Sequence, residues 1–275
     1  MDARTARILA ALTSEFYRTH AASFSAARTR PWEGWRACIA GWGEGAQCVS
    51  VLDLGCGNLR FEAFLARERS DASVTAHAVD NCEFPAPDGR APRFGASNAR
   101  VLRYGVDAVG ALVEGAYGEG AARSLEAALA EVPACDLSVA FGFLHHVPGE
   151  AARQGALGAL AEKTRPGGRI AVSLWRFLED PSFAAKAHRE HDQALSALAA
   201  EGALDAGALA AALDEGDRLL GWKGRSIAQR FCHSFSEAEI ERLVDSVADR
   251  ACLVRRFEAD GKTGRMNTYL VFEAL

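Results

Sequence analysis

From residue 48 onward, short β-branched apolar runs alternate with longer stretches whose apolar positions recur at helical spacing. CVSVLDL (48–54) is the first run. It passes through GCGN into LRFEAFLARE, where Phe61, Phe64 and Leu65 mark one helical face. SVTAHAVD (73–80), VLRYGVD (101–107), CDLSVAFGF (135–143) and RIAVSLW (169–175) read as four further strands with helical stretches between them, the last coming directly after Pro166-Gly167-Gly168. ACLVRRFEA and MNTYLVFEA, joined by the turn-forming segment Asp260-Gly261-Lys262-Thr263-Gly264, read as a hairpin. Such βα alternation predicts an α/β fold: a doubly wound, mostly parallel seven-stranded sheet with an antiparallel C-terminal hairpin.

Two segments lie outside this alternation. Residues 1–46 form an N-terminal helical lid: Ile8, Leu9, Leu12, Phe16 and Tyr17 recur at helical spacing, and a second short helix comes after Pro31. Residues 177–229 are alanine-rich and helical in propensity, and read as a helical insertion on the ligand side of the sheet. The chain is thus expected to be one domain over 1–275, with a core at 48–176 and a C-terminal helix and hairpin at 230–275.

Composition narrows the class. The chain has 275 residues, 49% of them hydrophobic and 24% charged, which is ample for a buried core and far from the disordered regime. Lys and Arg number 31 against 36 Asp and Glu, a formal charge of −5, so no broad basic footprint for nucleic acid is offered. Seven scattered cysteines without a C-x-x-C pair read as free thiols of a reducing cytoplasm. The opening residues lack a continuous apolar core, and no stretch nears the roughly 20 apolar residues of a membrane span. A cytoplasmic protein without a membrane partner is expected.

The candidate chemistry gathers at strand ends. Asp53-Leu54-Gly55-Cys56-Gly57-Asn58 lies at the carboxyl end of the first strand, where open α/β sheets bind ligands. Two glycines let the backbone turn tightly and approach a ligand, while Arg60 stands where a dinucleotide fingerprint would need its third glycine. Asp80 comes 25 residues after Gly55, placed to accept hydrogen bonds from both hydroxyls of an adenosine ribose. Asp107 closes the third strand and could accept from an adenine amino group. Each acid alone also reads as a helix N-cap or turn residue. Three at successive strand ends point to a ligand.

VLDLGCGN, the acid ending the second strand, CDLSVAFGFLHHV and RPGGRIAVSLW together resemble the motifs of class I S-adenosylmethionine-dependent methyltransferases, over roughly residues 48–176. The resemblance implies a Rossmann-like methyltransferase fold, an enzyme, and S-adenosyl-L-methionine as cofactor. On it, Gly55 and Gly57 pass under the methionine part, Asp53 supports its amino group, Asp80 holds the ribose and Asp107 faces the adenine. Cys56, Asn58, Asn81, Ala108 and Phe141 complete the implied contacts in the core. Cys56 reads as a small filler, since methyl transfer from a sulfonium needs no covalent enzyme intermediate.

The flanks resemble a narrower group, the tRNA wobble-uridine carboxymethyl methyltransferases. Tyr17, Ala21, Phe24, Ser25, Arg28 and Pro31-Trp32 are similar to its N-terminal signature, and Arg230-Phe231-Cys232-His233-Ser234-Phe235 to its Arg-aromatic-x-His-x-Phe stretch. This resemblance implies that Tyr17 and Arg28 close over the cofactor, and that His145, His146 and Trp175 line the methyl-transfer pocket. Leu59, Met266 and Thr268 depart from the pattern, and the acidic insertion suits tRNA poorly unless a helper subunit contributes. The alternative is a small-molecule O- or N-methyltransferase with the insertion as substrate lid; a sensor that binds the cofactor without using it is the third reading. A carboxylate acceptor would need no general base, whereas a hydroxyl or amine would make one of the two histidines the base. His188, Glu190, His191 and Asp192 share helical spacing, but no second element supplies further ligands and no metal is expected.

Overall fold

The computed structural model describes residues 1–82, 99–118, 124–201, 205–222 and 225–275. Its strands are β1 (Cys48–Leu54), β2 (Ser73–Val79), β3 (Ala99–Tyr104), β4 (Cys135–Ala140), β5 (Thr164–Trp175), β6 (Asp217–Trp222), β7 (Arg225–His233), β8 (Ala251–Ala259) and β9 (Asn267–Ala274). The helices are α1 (Ala3–Ala26), α2 (Glu33–Ile39), α3 (Arg60–Glu68), α4 (Ala108–Tyr117), α5 (Leu125–Ala128), α6 (Glu150–Glu162), α7 (Pro181–Glu201), α8 (Ala206–Ala212) and α9 (Glu237–Asp245). Seven strands form one sheet in the order β3-β2-β1-β4-β5-β9-β8, parallel except where β9 pairs with β5 and β8. The order reverses at β1, between β2 and β4, which opens a ligand crevice at the carboxyl end of β1.

Strand alternation assigns side chains to two cores. Val49 and Val51 of β1 join Trp35, Phe61, Phe64 and Leu65 on one face, while Leu52 and Leu54 join Leu112, Ile170, Val172 and Phe272 on the other. Asp53 has the parity of Val49 and Val51, so its carboxyl points toward the α3 side.

Several predicted boundaries move. The third strand ends at Tyr104, leaving Asp107 as the N-cap of α4. The fourth ends at Ala140, because Gly142 takes a φ of +70° that breaks the extended chain. The fifth begins at Thr164, through the Pro-Gly-Gly segment.

The insertion requires a larger correction. Its first part is helical (α7 and α8), but β6 and β7 form an antiparallel hairpin, and the Arg230–His233 stretch lies on its second strand. The alanine-rich composition ends at Ala212; the later segment DRLLGW pairs across the hairpin, with Leu219 opposite Phe231. Leu219 and Phe231 then pack with Leu9 of α1 and Ala194 and Leu198 of α7 in a small core of their own. Thr13 of α1 accepts the Phe231 amide at 3.1 Å. The lid and the insertion therefore form one wall. Among the described residues no helix is long and apolar enough to cross a membrane.

A buried ionic network pins the hairpin to the domain. Asp217 Oδ1 lies 2.7 Å from His233 Nδ1, with both side chains fully buried, and His233 Nε2 lies 3.0 Å from Glu239 Oε1. Glu239 also closes the capping box of α9, accepting from the Ser236 amide and hydroxyl. Burial alone would raise the Glu239 carboxyl, but His233 and Ser236 hold it down at about 2. A depressed carboxyl stabilises the fold above its ordinary value near 4.5, and that share is lost as pH falls toward 2. His233→Ala should therefore cost about 3–5 kcal/mol in urea denaturation, since it leaves Asp217 buried without its partner. In Glu239→Gln the deficit against the wild-type chain should shrink across that acid window; a constant deficit would contradict the network.

Candidate active site

The turn after β1 is shaped by three residues in the left-handed region: Gly55 (φ +80°), Gly57 (φ +54°) and Leu59 (φ +60°). The amides of Gly55 and Cys56 both donate to Val79 O, which fixes the turn to the end of β2. A Cβ on Gly55 would stand 2.6 Å from the Phe143 ring, whereas at Gly57 it would meet nothing within 4 Å, because that position faces open space. Leu59 explains its own oddity: it occupies a backbone conformation suited to glycine, at a cost of roughly 1–2 kcal/mol, and is buried against Cys56 and Ala78.

The two glycines edge a cavity of about 340 Å³, within the range of small-molecule sites. All fifteen candidate residues line it: Tyr17, Arg28, Asp53, Gly55, Cys56, Gly57, Asn58, Asp80, Asn81, Asp107, Ala108, Phe141, His145, His146 and Trp175. Asp80 Oδ2 accepts the Gly57 amide and Oδ1 the Cys82 amide, both at 2.9 Å. Burial raises its carboxyl, against the pull of those two amides. Asp107 serves as a helix N-cap, accepting the Gly110 amide at 3.0 Å, so only its remaining acceptor capacity could serve a ligand. Asn58 donates to Ser25 Oγ and Arg28 O, tying the glycine turn to the end of α1.

The opposite wall comes from α1, the turn after β4 and the hairpin. His146 Nδ1 lies 2.8 Å from Phe231 O and its Nε2 2.6 Å from the Tyr17 hydroxyl. A carbonyl only accepts, so the ring proton sits on Nδ1 and Tyr17 donates to Nε2. Both nitrogens are committed. His145 is buried beside Trp175, with ring centroids 5.0 Å apart, and its Nδ1 has no partner. Burial, reinforced by Arg230 and Arg28, holds the His146 imidazole at about 3 and that of His145 well below its ordinary value. Arg28 lies over the Phe24 ring at 3.4 Å, and Arg230 over Phe16 at 4.9 Å. Burial and the neighbouring arginines lower Arg28 to about 10. Among the described residues no carboxylate forms an ion pair with either.

Two site components escape sequence reasoning. Arg230 opens the Arg-aromatic-x-His-x-Phe stretch, but helical propensity up to residue 229 hides the strand that carries it to the cavity wall. Glu62 gives no signal, since an acid in the first turn of a helix ordinarily faces solvent and favours the helix dipole; here it is buried beside Asp53. Two members of the His188–Asp192 cluster serve the packing of the insertion. His191 accepts the Leu219 amide and Glu190 the Gly221 amide, which fastens β6 to α7. His145, His146 and Cys232 bring ligand atoms within 4.8 Å of one another, but both His146 nitrogens are engaged and two arginines face the group, which disfavours a cation.

No family model and no curated protein matches this sequence. Solved structures do. A SAM-dependent methyltransferase from Methanosarcina mazei aligns with a TM-score of 0.50 and 15% identity, over 83% of this chain and 93% of that one. A DhpI–SAM–HEP complex aligns at 0.52 and 15%, over 96% and 97%. A Rhodobacter sphaeroides protein named for Zn-dependent alcohol dehydrogenases aligns at 0.56 and 14%, over 95% and 97%. At such identities the likeness establishes the fold: a Rossmann-like methyltransferase fold, with a seven-stranded, mostly parallel sheet and antiparallel C-terminal strands.

The buried imidazoles generate a prediction. Monitored through histidine ring signals by NMR, both His145 and His146 should protonate only below the ordinary 6.5, His146 near pH 3. A folded value below the ordinary 6.5 means stability is lost as pH falls below 6.5. Titration of both rings near pH 6.5 would contradict the enclosed geometry.

Proposed function

We propose that this chain is an S-adenosylmethionine-dependent methyltransferase whose acceptor is a small carboxylate, converted to its methyl ester. The cofactor reading is supported by the glycine turn, by Asp53, Asp80 and Asp107 on one cavity, and by relatives of this fold named for SAM. The open space at Gly57 and the position of Asp80 at the end of β2 fit a nucleoside with an amino-acid tail.

The acceptor reading rests on one observation: Arg230 is buried in the cavity wall, with its Nε unpartnered, beside two imidazoles unsuited to act as bases. A hydroxyl or amine would need a proton removed, yet His146 has no free nitrogen and both rings are weak bases. A carboxylate with a pKa near 4 is already ionised at neutral pH. The guanidinium of Arg230 can hold it, while Arg28 takes the carboxylate of the cofactor. When bound, the cofactor supplies an electrophilic methyl group on a sulfonium. Trp175, His145 and Tyr17 wall the path, exclude water and align the attacking oxygen; such positioning contributes up to roughly 7–11 kcal/mol.

Surface charge favours a small acceptor over tRNA. Of the arginines that could have met phosphates, Arg36 pairs with Glu68, Arg250 with Asp249, Arg256 with Glu237 and Glu241, and Arg265 with Glu258. The carboxymethyl group of a wobble uridine would satisfy the same clamp, with a helper subunit supplying the basic surface, and a cytoplasmic setting suits either acceptor.

Methyl-labelled cofactor incubated with a cell extract should give alkali-labile label in the small-molecule fraction. Alkali-labile label in tRNA would move the acceptor to the wobble uridine, and alkali-stable label would refute an ester. With the acceptor in hand, Arg230→Ala should lower kcat/KM by about 10- to 100-fold, the loss of one charge-assisted contact, while affinity for S-adenosylhomocysteine stays within about threefold. Asp80→Ala should weaken that affinity at least tenfold in calorimetry; unchanged binding would refute the cofactor placement.

A further inference from the structure

Two carboxyl groups meet beneath the glycine turn. Asp53 ends β1 and lines the cavity; Glu62, in the first turn of α3, stands behind it and outside the lining. They are 3% and 2% exposed. Ionised carboxylates only accept hydrogen bonds, and apart from its own backbone amide and the apposed Asp53 no hydrogen-bond partner among the described residues reaches the oxygens of Glu62. An apposed, buried pair of this kind holds a proton between its members unless a cation replaces it.

The surrounding charges do not supply that cation. Asp80, at the end of β2, adds a third acid; Arg60 from α3 and Arg103 from β3 oppose it. Both arginines are engaged elsewhere, Arg60 donating to Arg30 O at 2.7 Å and Arg103 to Gly57 O at 3.3 Å. Burial dominates, pushing Glu62 up to about 7, and burial together with the apposed Glu62 raises Asp53 well above the usual carboxylate range.

We infer that Asp53 and Glu62 form one proton-sharing acid pair that receives the ammonium of the cofactor's amino-acid end, Glu62 acting through Asp53 as a positioning residue, and that the shared proton leaves on binding. The inference rests on the S-adenosylmethionine reading of the cavity. The carboxyl O–H bond breaks, its proton passes to solvent, the pair takes up its full negative charge, and the ammonium of the ligand stays protonated as counter-ion. Nothing is oxidised or reduced. Because the free pair carries a proton that the complex lacks, affinity falls with falling pH through the range in which the free pair titrates, above the usual carboxylate range, toward tenfold per unit, and levels off above that range.

The test is calorimetry on the full chain over a pH series from the acid side to the alkaline side of neutrality, in buffers of different ionisation enthalpy. S-adenosylhomocysteine should release up to about one proton per molecule bound on the acid side, and less as pH rises, and 5′-methylthioadenosine, the same nucleoside without the amino-acid end, should release none. Glu62→Gln, whose amide donates to Asp53 and leaves it ionised, should abolish the release and flatten the pH dependence. Release near zero in the wild-type chain, equal release with both ligands, or release retained in Glu62→Gln would overturn the inference. The two-ligand comparison needs no variant, so it stands whether or not Glu62→Gln folds. If neither ligand binds, the cofactor reading falls with it; if both bind without release, only the acid pair is refuted.

Discussion

His146 is the joint on which the site depends. Its Nδ1–H reaches the Phe231 carbonyl on β7, its Nε2 takes the Tyr17 hydroxyl from α1, and its backbone belongs to the turn after β4. Lid, hairpin and sheet meet through one ring. Because the carbonyl of Phe231 can only accept, the tautomer is set, and with it the direction of the bond to Tyr17. This explains why two adjacent histidines in a ligand cavity serve so poorly as bases: one is a structural strut, and the other is buried beside it among arginines. The carboxylate acceptor proposed for this site fits that arrangement, because it arrives already ionised.

The cavity is polarised end to end. Asp53, Asp80 and Asp107 stand where β1, β2 and α4 meet, and Arg28 and Arg230 stand on the wall made by α1 and β7. Neither set is neutralised from within: Asp80 accepts only backbone amides, and the two arginines rest on aromatic faces instead of carboxylates. Buried charge without a counter-charge is costly, so the chain holds Asp80 and the two arginines at the expense of stability. A ligand that presents an ammonium to the acids and a carboxylate to the arginines relieves both costs at once.

Much of this was legible in the sequence because it depends on period and position. The alternation of apolar runs placed all seven strands of the main sheet, and strand-end acids derive from where strands stop. The features that escaped depend on contacts between distant segments. Residues 217–233 form a hairpin because Leu219 and Phe231 find Leu9 and Leu198, a partnership that local propensity cannot express. Leu59 in a glycine conformation is tolerated because Cys56 and Ala78 bury it. Asp107 illustrates the converse. Its capping role and its ligand role are both readable, and the structure shows the cap as made while leaving the carboxylate on the cavity wall.

The hairpin also bears on acceptor size. Its strands do not extend the main sheet; they lean on α1 and α7, and Trp222 donates to Ser23 while packing on Phe24. The acceptor side is thus walled by aromatic rings, with its cations turned inward, while several surface arginines are consumed by neighbouring glutamates. Attraction for a polyanion scales with exposed, uncommitted positive charge, and the net charge of this chain is −5. A small anion that enters the cavity, by contrast, meets Arg28 and Arg230 in a poorly solvated setting, where each contact is strengthened by the same burial that makes it costly to maintain. The small acceptor proposed for this site would thus be recognised inside the wall, which the segment between the fifth and eighth strands helps to build.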